Sequence, residues 1–358
     1  MDFIFSARRS YLQFLFAALK LPFLPTYNDF QFKLNYKPNN KNKITFIGLG
    51  ALDDFALNTS VNENITDSNT IDYNNYILGN IPVNDQWNYT FGINWTHFSK
   101  SSYQNVVVSR NMLRNIATRY QDNIQNESNK LLDYTSTEAE NKLRFEHTYN
   151  KNGWRFNVGF GYEYVKYNNS TFNKITVQGF PVIIDYSSDL FLSKGSMFSQ
   201  LNKSFLNDRV NLSLGIRTDI NNYSTEMMNP LSQLSPMFSF SYSFSKAFSF
   251  NGNIARYHQL PAYTILGYRD MQGELSNLNN DLKYIQSDQF VAGFEYITDV
   301  SSRITVEAFY KGYSNYPFSL NDSICLANLG SDFGVVGNEE VVSNSKGRAY
   351  GFEFLYQQ

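Results

Sequence analysis

The sequence predicts an all-β fold, an antiparallel transmembrane β-barrel, and three observations carry that reading. Apolar and polar side chains alternate with period two in segment after segment, in arms of about 9 to 11 residues, the length a tilted strand needs to cross a bilayer. Short turns and long polar connections alternate along the whole chain, as in a barrel with one short-turn rim and one long-loop rim. The polar positions are Ser, Asn, Gly, Arg and Glu, which cannot form a dry core but suit a wet lumen, leaving Phe, Tyr and Trp to face lipid and the interfacial girdles. A half-buried strand in a soluble sandwich alternates too, but a sandwich has no reason to sort its connections by length.

Taken in order, a first strand is expected from Asp2 to Arg9. Arg8-Arg9 and the apolar residues after it imitate a signal or twin-arginine leader, but Gln13 and Lys20 interrupt them and no small-residue cleavage site follows. The spacing of Leu12, Leu15, Phe16 and Leu19 instead predicts a short amphipathic helix, capped by Ser10 and stopped by Pro22. From Asp29 to Tyr36 the alternation is perfect: Phe30, Phe32, Leu34 and Tyr36 against Asp29, Gln31, Lys33 and Asn35. The Pro38 to Asn42 turn leads back through Ile44, Phe46 and Gly48 to a long polar connection, Asp53 to Gln86.

The scheme repeats with Trp87, Tyr89, Phe91, Ile93 and Trp95, a turn at Ser99 to Ser102, a return strand from Val106 to Met112, and a polar stretch to about Glu138. Leu143, Phe145, His147 and Tyr149 pass through the Asn150 to Gly153 turn to Trp154, Phe156, Val158, Phe160, Tyr162 and Tyr164. A long connection is expected to about Gly195, then strands at Ser196 to Phe205 and Val210 to Ile216. The clearest hairpin sets Phe238, Phe240, Tyr242 and Phe244 against Phe248 and Phe250, with Ser239, Ser241, Ser243, Ser249, Asn251 and Asn253 on the other face. The next pairs Phe290, Phe294 and Tyr296 with Ile304, Val306, Ala308 and Tyr310 across Asp299 to Ser302, and a last strand starts at Tyr350. This makes about fourteen strands.

Charged residues are 17% of the 358 and aromatic residues another 17%, against roughly 25% charged in a soluble domain. Mean hydropathy is nevertheless -0.40, and after the N-terminal segment no apolar run approaches the roughly 18 residues of a spanning helix. With a net charge of -2 and no basic cluster, the electrostatic footprint of a nucleic-acid binder is missing. Cys325 is the single cysteine, which excludes an internal disulfide and fits an oxidising compartment. Because unpaired sheet edges cannot survive in hydrocarbon, a sequence that starts and ends in mid-strand is expected to be part of a longer barrel.

In their order, these segments resemble the TonB-dependent outer-membrane receptors, particularly those of the Bacteroidetes type. The matching stretches are SARRSYL at Ser6 to Leu12, PTYNDFQFKLNY at Pro25 to Tyr36, the SPMFSFSYSFS hairpin, RYHQLPAYTILGYRD at Arg256 to Asp270, LKYIQSDQFVAGFEY at Leu282 to Tyr296, and GRAYGFEFLY at Gly347 to Tyr356. The resemblance implies a barrel of about 22 strands with an N-terminal plug, in the outer membrane of a Gram-negative cell, importing an iron-siderophore, cobalamin or an oligosaccharide on energy from TonB. Residues 1–358 would be a partial barrel domain, with the plug domain, the TonB box, the signal peptide and the C-terminal aromatic strand outside it. Implied partners are outer-membrane lipid and lipopolysaccharide, the plug, the TonB complex and a small-molecule or oligosaccharide ligand. The alternative is a passive porin or adhesin-like barrel.

No G-x-S-x-G, H-E-x-x-H, P-loop or C-x-x-C is present, so no catalytic residue, cofactor or metal ligand is expected. His97, His147 and His258 read as girdle or loop residues; His258 with Asp270 or Asp281 is the one arrangement an enzyme could use. For ligand contact in an extracellular loop the residues chosen are Tyr257, Tyr263, Tyr268 and Arg269, since aromatics and arginine anchor recognition surfaces. Arg155, Glu163, Arg217, Glu295 and Glu307 are expected to line the lumen and face the plug, and Arg8, Arg9, Ser10 and Tyr11 carry the family motif.

Overall fold

The computed structural model describes residues 1–177, 180–270, 272–298, 302–329 and 336–358. Among these, fourteen strands form one antiparallel sheet in chain order, each paired only with its sequence neighbours. They are β1 Asp2–Arg9, β2 Phe23–Asn39, β3 Asn42–Leu57, β4 Val83–Phe98, β5 Ser102–Tyr120, β6 Lys130–Lys151 and β7 Trp154–Val177. The sheet continues with β8 Phe180–Phe205, β9 Val210–Asn221, β10 Ser235–Ser243, β11 Phe248–Gln259, β12 Ile285–Ile297, β13 Arg303–Ser319 and β14 Val341–Gln357. The pairing joins Phe290 to Tyr310, Phe294 to Val306 and Tyr296 to Ile304, as the alternation requires. The Asp299 to Ser302 turn falls mostly outside the described residues.

Directly paired residues share a face, so the register sorts every side chain. On one face Trp154, Phe156, Phe160, Tyr162 and Tyr164 of β7 stand exposed, continued by Phe352, 86% exposed, and by Phe240 with its ring 6.3 Å from that of Phe250. The other face sets Arg155, Asn157 and Glu163 opposite Asn202, Gln200 and Lys194. The chain's own buried core packs on this second, polar face, so it is the enclosed one.

The short rim is built from tight turns. Asn152 and Gly153 both take positive φ, 51° and 74°, the two-residue hairpin geometry whose twist matches the strands. Aromatics and cations crowd this rim, with the Lys203 ammonium 5.1 Å from the Trp154 ring and 5.8 Å from that of Phe205. Trp95 Nε1 donates to Asn42 Oδ1 at 3.1 Å, and His97 Nδ1 lies 2.9 Å from the same oxygen.

The long rim departs from the sequence reading in three places. The connection expected from Tyr164 to Gly195 is instead two strands, β7 and β8, running to Val177 and Phe180; β5 and β6 likewise continue to Tyr120 and from Lys130. These extensions are rich in Asn, Ser and Thr and read as loop, but their inner sides are buried and hold them in the sheet: Val165, Tyr167, Leu190 and Leu192 on β7 and β8, and Ala117, Leu132 and Tyr134 on β5 and β6. The polar stretch after β3 contains a helix, α2 (Ser68–Asn80), whose first turn is capped by Asp67 accepting from Thr70 N at 3.0 Å. The expected N-terminal helix forms as α1 (Leu12–Ala18), but Ser10 does not cap it. Its Oγ accepts from the Tyr27 amide across β2 at 3.1 Å, so the hydroxyl serves the β1–β2 junction and Tyr11 occupies the cap position.

Candidate functional site

At the long rim, three connections fold over the polar face and share a core. The β9–β10 connection contributes Tyr223 and Met227 from α3 (Thr225–Met228) and its approach. The β11–β12 connection contributes Ile265 and Leu266 from α4 (Tyr263–Leu266), with Leu282 and Tyr284, and β13–β14 contributes Leu326 and Val341. All close on Val165, Tyr167, Leu190 and Leu192 of the β7–β8 wall. At Gly267, the C-cap of α4, only glycine fits, since a Cβ there would sit 2.8 Å from the Tyr167 ring.

Three buried polar side chains tie these connections together, as desolvation favours. Asn277, in the short helix α5 (Ser276–Asn279), donates to Ile265 O at 2.8 Å and Glu339 O at 3.0 Å and accepts from Val341 N at 2.9 Å. Tyr223 donates to Leu266 O at 3.0 Å, and Asn221 Nδ2 donates to Tyr284 Oη at 2.8 Å. One side chain per connection therefore fixes the next.

Beneath α4 the cap meets a charged patch of the barrel wall. The Tyr263 hydroxyl donates to Glu140 Oε1 at 2.5 Å and accepts from Lys194 Nζ at 3.1 Å, while its ring packs 6.1 Å from that of Tyr167. Lys194 also pairs with Glu163 at 2.6 Å, and Lys142 with Glu140 at 2.6 Å. Burial, and then the Glu140 carboxylate, push the Tyr263 phenol up, so it acts as a neutral donor. Beside this patch a recess of about 200 Å³ is lined by Glu163, Lys194, Arg217, Asp219, His258 and Tyr284. A second, of about 480 Å³, lies between β11–β14 and the turn at Leu326–Asn328, with Tyr257, Tyr313, Tyr316 and Lys346 in its wall. A third hollow, about 760 Å³, runs along the polar face towards the short rim, past Arg155, Gln200, Ser239, Asn253 and Glu307.

The structure separates the four residues chosen for ligand contact. Tyr257 is not in a loop: it belongs to β11, because the alternation of that strand continues to Gln259, and it opens on the 480 Å³ recess. Tyr263 is in the cap but turns inward to Glu140 and Lys194. Tyr268 packs edge-on against Tyr186 at 5.5 Å, and burial, followed by nearby carboxylates, raises its phenol. Arg269 Nη1 donates to Gly273 O at 2.7 Å. The carboxylate of Asp270 accepts from the Gln272 and Glu274 amides and from Ser276 Oγ, and the Glu274 amide foremost lowers its pKa.

The five residues expected to face a lumen all fall on the polar face by register. Arg155 donates to Tyr103 Oη at 3.0 Å, Arg217 pairs with Asp219 at 2.6 Å, Glu295 pairs with Arg303, and Glu163 holds Lys194. Glu140, Lys142, Lys194 and Asp219 were missed; counting every second residue back from Arg144 and Ser196 would have put the first three on that face. In the N-terminal motif Arg8 pairs with Asp29 at 2.9 Å and Tyr11 stacks near Phe14; Arg9 lies in β1. His258 Nδ1 lies 2.9 Å from Ser235 Oγ, in place of the pairing with Asp270 or Asp281. Among the described residues no group of three or more His, Cys, Asp or Glu side chains is placed to hold a metal ion.

Residues 16–358 match the family described as TonB dependent receptor-like, beta-barrel. Among solved structures the chain is similar to the copper transporter OprC, with 13% identity, a TM-score of 0.64, and coverage of 93% of this chain and 50% of that one. It is also similar to a mutant of the ferric enterobactin receptor PfeA of Pseudomonas aeruginosa (16% identity, TM-score 0.63, 93% and 49% covered). FpvA of P. aeruginosa bound to heterologous pyoverdines gives 13% identity, a TM-score of 0.62, and 93% and 47% coverage. The chain thus spans about half the length of these structures. No curated protein matches it in sequence.

Proposed function

The chain belongs to the TonB-dependent receptor-like β-barrel family, and from that premise we propose that it forms wall and cap of an outer-membrane receptor importing a scarce nutrient on energy from TonB. The observation that carries this reading is the two-sided sheet. Its aromatic face is suited to lipid, and its charged face is roofed at one rim by three connections locked to one another and to the wall. A passive pore needs the first property but not the second. The 480 Å³ recess is within the volume range of small-molecule sites, and its tyrosines and lysine suit an anionic, aromatic ligand such as an iron chelate, ahead of cobalamin or an oligosaccharide. Tyr257 is the proposed ligand contact that best fits this place; Tyr263, Tyr268 and Arg269 shape the cap around it. A plug domain would rest against Arg155, Glu163, Arg217, Glu295 and Glu307. No catalytic step is assigned. Uptake of labelled siderophores and glycans is to be compared in cells with and without the full-length gene. Loss of uptake of one substrate class on deletion, restored by the gene, is expected; unchanged uptake of every substrate refutes the import reading.

A further inference from the structure

The long rim leaves one strand edge uncovered. β9 pairs with β8 only from Lys194 to Phe205, whereas β7 follows β8 up to Phe180 without a register shift. The last bonds on the β9 side are at Ser193, whose amide donates to Asn222 Oδ1 at 2.8 Å and whose carbonyl accepts from the Asn222 amide at 3.3 Å. Backbone N–H and C=O groups turn to alternate edges of a strand, residue by residue, so Ile183, Asp185, Ser187, Asp189 and Phe191 present theirs on this same side. Among the described residues none of these groups has a backbone partner.

The strand keeps its form without that neighbour. Its other edge is on β7, and its inner side chains Leu190 and Leu192 are buried beneath the cap. The five outward side chains, Ile183 to Phe191 at every second position, are exposed. At a rise of roughly 3.3 Å per residue the open stretch is about 26 Å long. Open edges of this kind recruit further strands unless a bulge or proline interrupts them. Here there is no bulge, and Pro181, the one proline of β8, lies beyond the stretch.

The side chains along the edge add a charge preference. Among the described residues neither Asp185 nor Asp189 makes an ion pair; Asp189 accepts from Asn168 Nδ2, a neutral donor. On the inner side Ser188 is 3% exposed, and its hydroxyl has no hydrogen-bond partner among the described residues. A strand laid along this edge would set its own inward side chains beside that hydroxyl and its outward ones beside the two carboxylates.

We propose that the β8 edge from Ile183 to Phe191 is a docking site for an extended segment of a partner protein, which adds to the sheet as a further strand and carries basic side chains opposite Asp185 and Asp189. A row of alternating backbone donors and acceptors matches an extended polypeptide, and the carboxylates select its charge. A second copy of this chain in the same membrane would run its own β8 parallel to this one and set like charges against each other, which is destabilising. The site is distinct from the recess at Tyr257, and its occupancy does not depend on what the receptor imports.

The test uses the full-length protein in nanodiscs, one copy per disc, and a nine-residue probe peptide of serine and threonine with lysines at its third and seventh positions. Antiparallel pairing sets those lysines opposite Asp189 and Asp185. Hydrogen exchange should find the amides of Ile183, Asp185, Ser187, Asp189 and Phe191 fast in the free protein and at least tenfold slower with the peptide, while the amides between them, bonded to β7, stay slow throughout. The same peptide N-methylated at its third, fifth and seventh residues keeps its charge, loses the N–H groups that face β8, and should protect nothing. Ser187→Pro removes one edge N–H without touching the β7 ladder and should weaken peptide binding at least tenfold, with the slow ladder amides showing that the strand persists. D185N/D189N should erase the preference for the lysine peptide over one with glutamates in their place. Edge amides already slow in the free protein, equal protection by the N-methylated peptide, or undiminished binding by Ser187→Pro overturn the docking site. Edge protection that arises only in discs holding two copies gives the edge to a second copy and overturns the partner.

Discussion

Replacing Tyr263 by phenylalanine removes one hydroxyl and leaves the ring on Tyr167, so it isolates the fastening between cap and wall. The lost bond to Glu140 at 2.5 Å is charge-assisted, a class worth roughly 1.5–3 kcal/mol. Glu140 keeps Lys142 at 2.6 Å and has Lys194 at 3.7 Å to take up part of the vacated position, which places the net cost near the lower end, about 1.5 kcal/mol. Such a cost falls on local opening of the cap, because the barrel ladders do not depend on it. Hydrogen exchange of the amides of residues 263–268, measured on the full-length protein in nanodiscs, should therefore accelerate about tenfold, with β2 to β5 unchanged. In a Glu140→Gln background the same substitution should cost clearly less, since the charged acceptor is already gone. An equal cost in both backgrounds, or faster exchange spread evenly over the sheet, would refute the fastening.

Three further outcomes follow from the same coordinates. Phe240→Arg puts a cation on the lipid face and should destabilise the inserted barrel by about 2–4 kcal/mol, whereas Ser241→Arg, one residue on and facing the polar side, should be nearly neutral in a urea titration in vesicles; equal costs would reverse the assignment of faces. Gly153→Ala forces a Cβ onto a residue at φ 74° and should cost about 1 kcal/mol by the same titration, mostly backbone strain, since the nearest atom to the new methyl is the movable Lys203 Nζ. Asp270 has its folded pKa depressed below the ordinary 3.8, so its contribution to the 270–276 turn is complete above that value and disappears as pH falls through the lower folded one. Proteolysis or exchange at this turn should rise only in strong acid, and Asp270→Asn should abolish that pH dependence.

The legibility of this chain follows the reach of its interactions. Strand count, register and both faces rest on period-two alternation and local turn residues such as Asn152 and Gly153, which a sequence displays directly. The extensions of β7 and β8 were hidden because above the membrane neither face meets lipid, so Asn168 to Thr171 and Ser187 to Asp189 lose the oily half of the pattern; what keeps them in strands is burial of Val165, Tyr167, Leu190 and Leu192 by connections far along the chain. Arg155, Glu163, Arg217, Glu295 and Glu307 could be assigned to the polar face because parity is local. Tyr263 could not, since Glu140 is 123 residues away, and an aromatic near a loop start looks the same whether it greets a ligand or anchors a cap.

The placement of the charges on β6 to β8 has a physical consequence for the cap. Lys142, Glu163 and Lys194 occupy directly paired positions across three adjacent strands, so the ladder fixes their spacing before any connection folds over them. Glu140, one step higher on β6, then offers Tyr263 a partner whose position costs the cap no side-chain ordering on the wall side. An exposed ion pair between two loops would contribute little and be screened by salt; a neutral phenol meeting a prearranged, partly buried carboxylate is far less sensitive to ionic strength. The cap is therefore anchored through wall side chains that are already paired with one another. Tyr257, by contrast, stays exposed on β11 and takes no part in that anchoring.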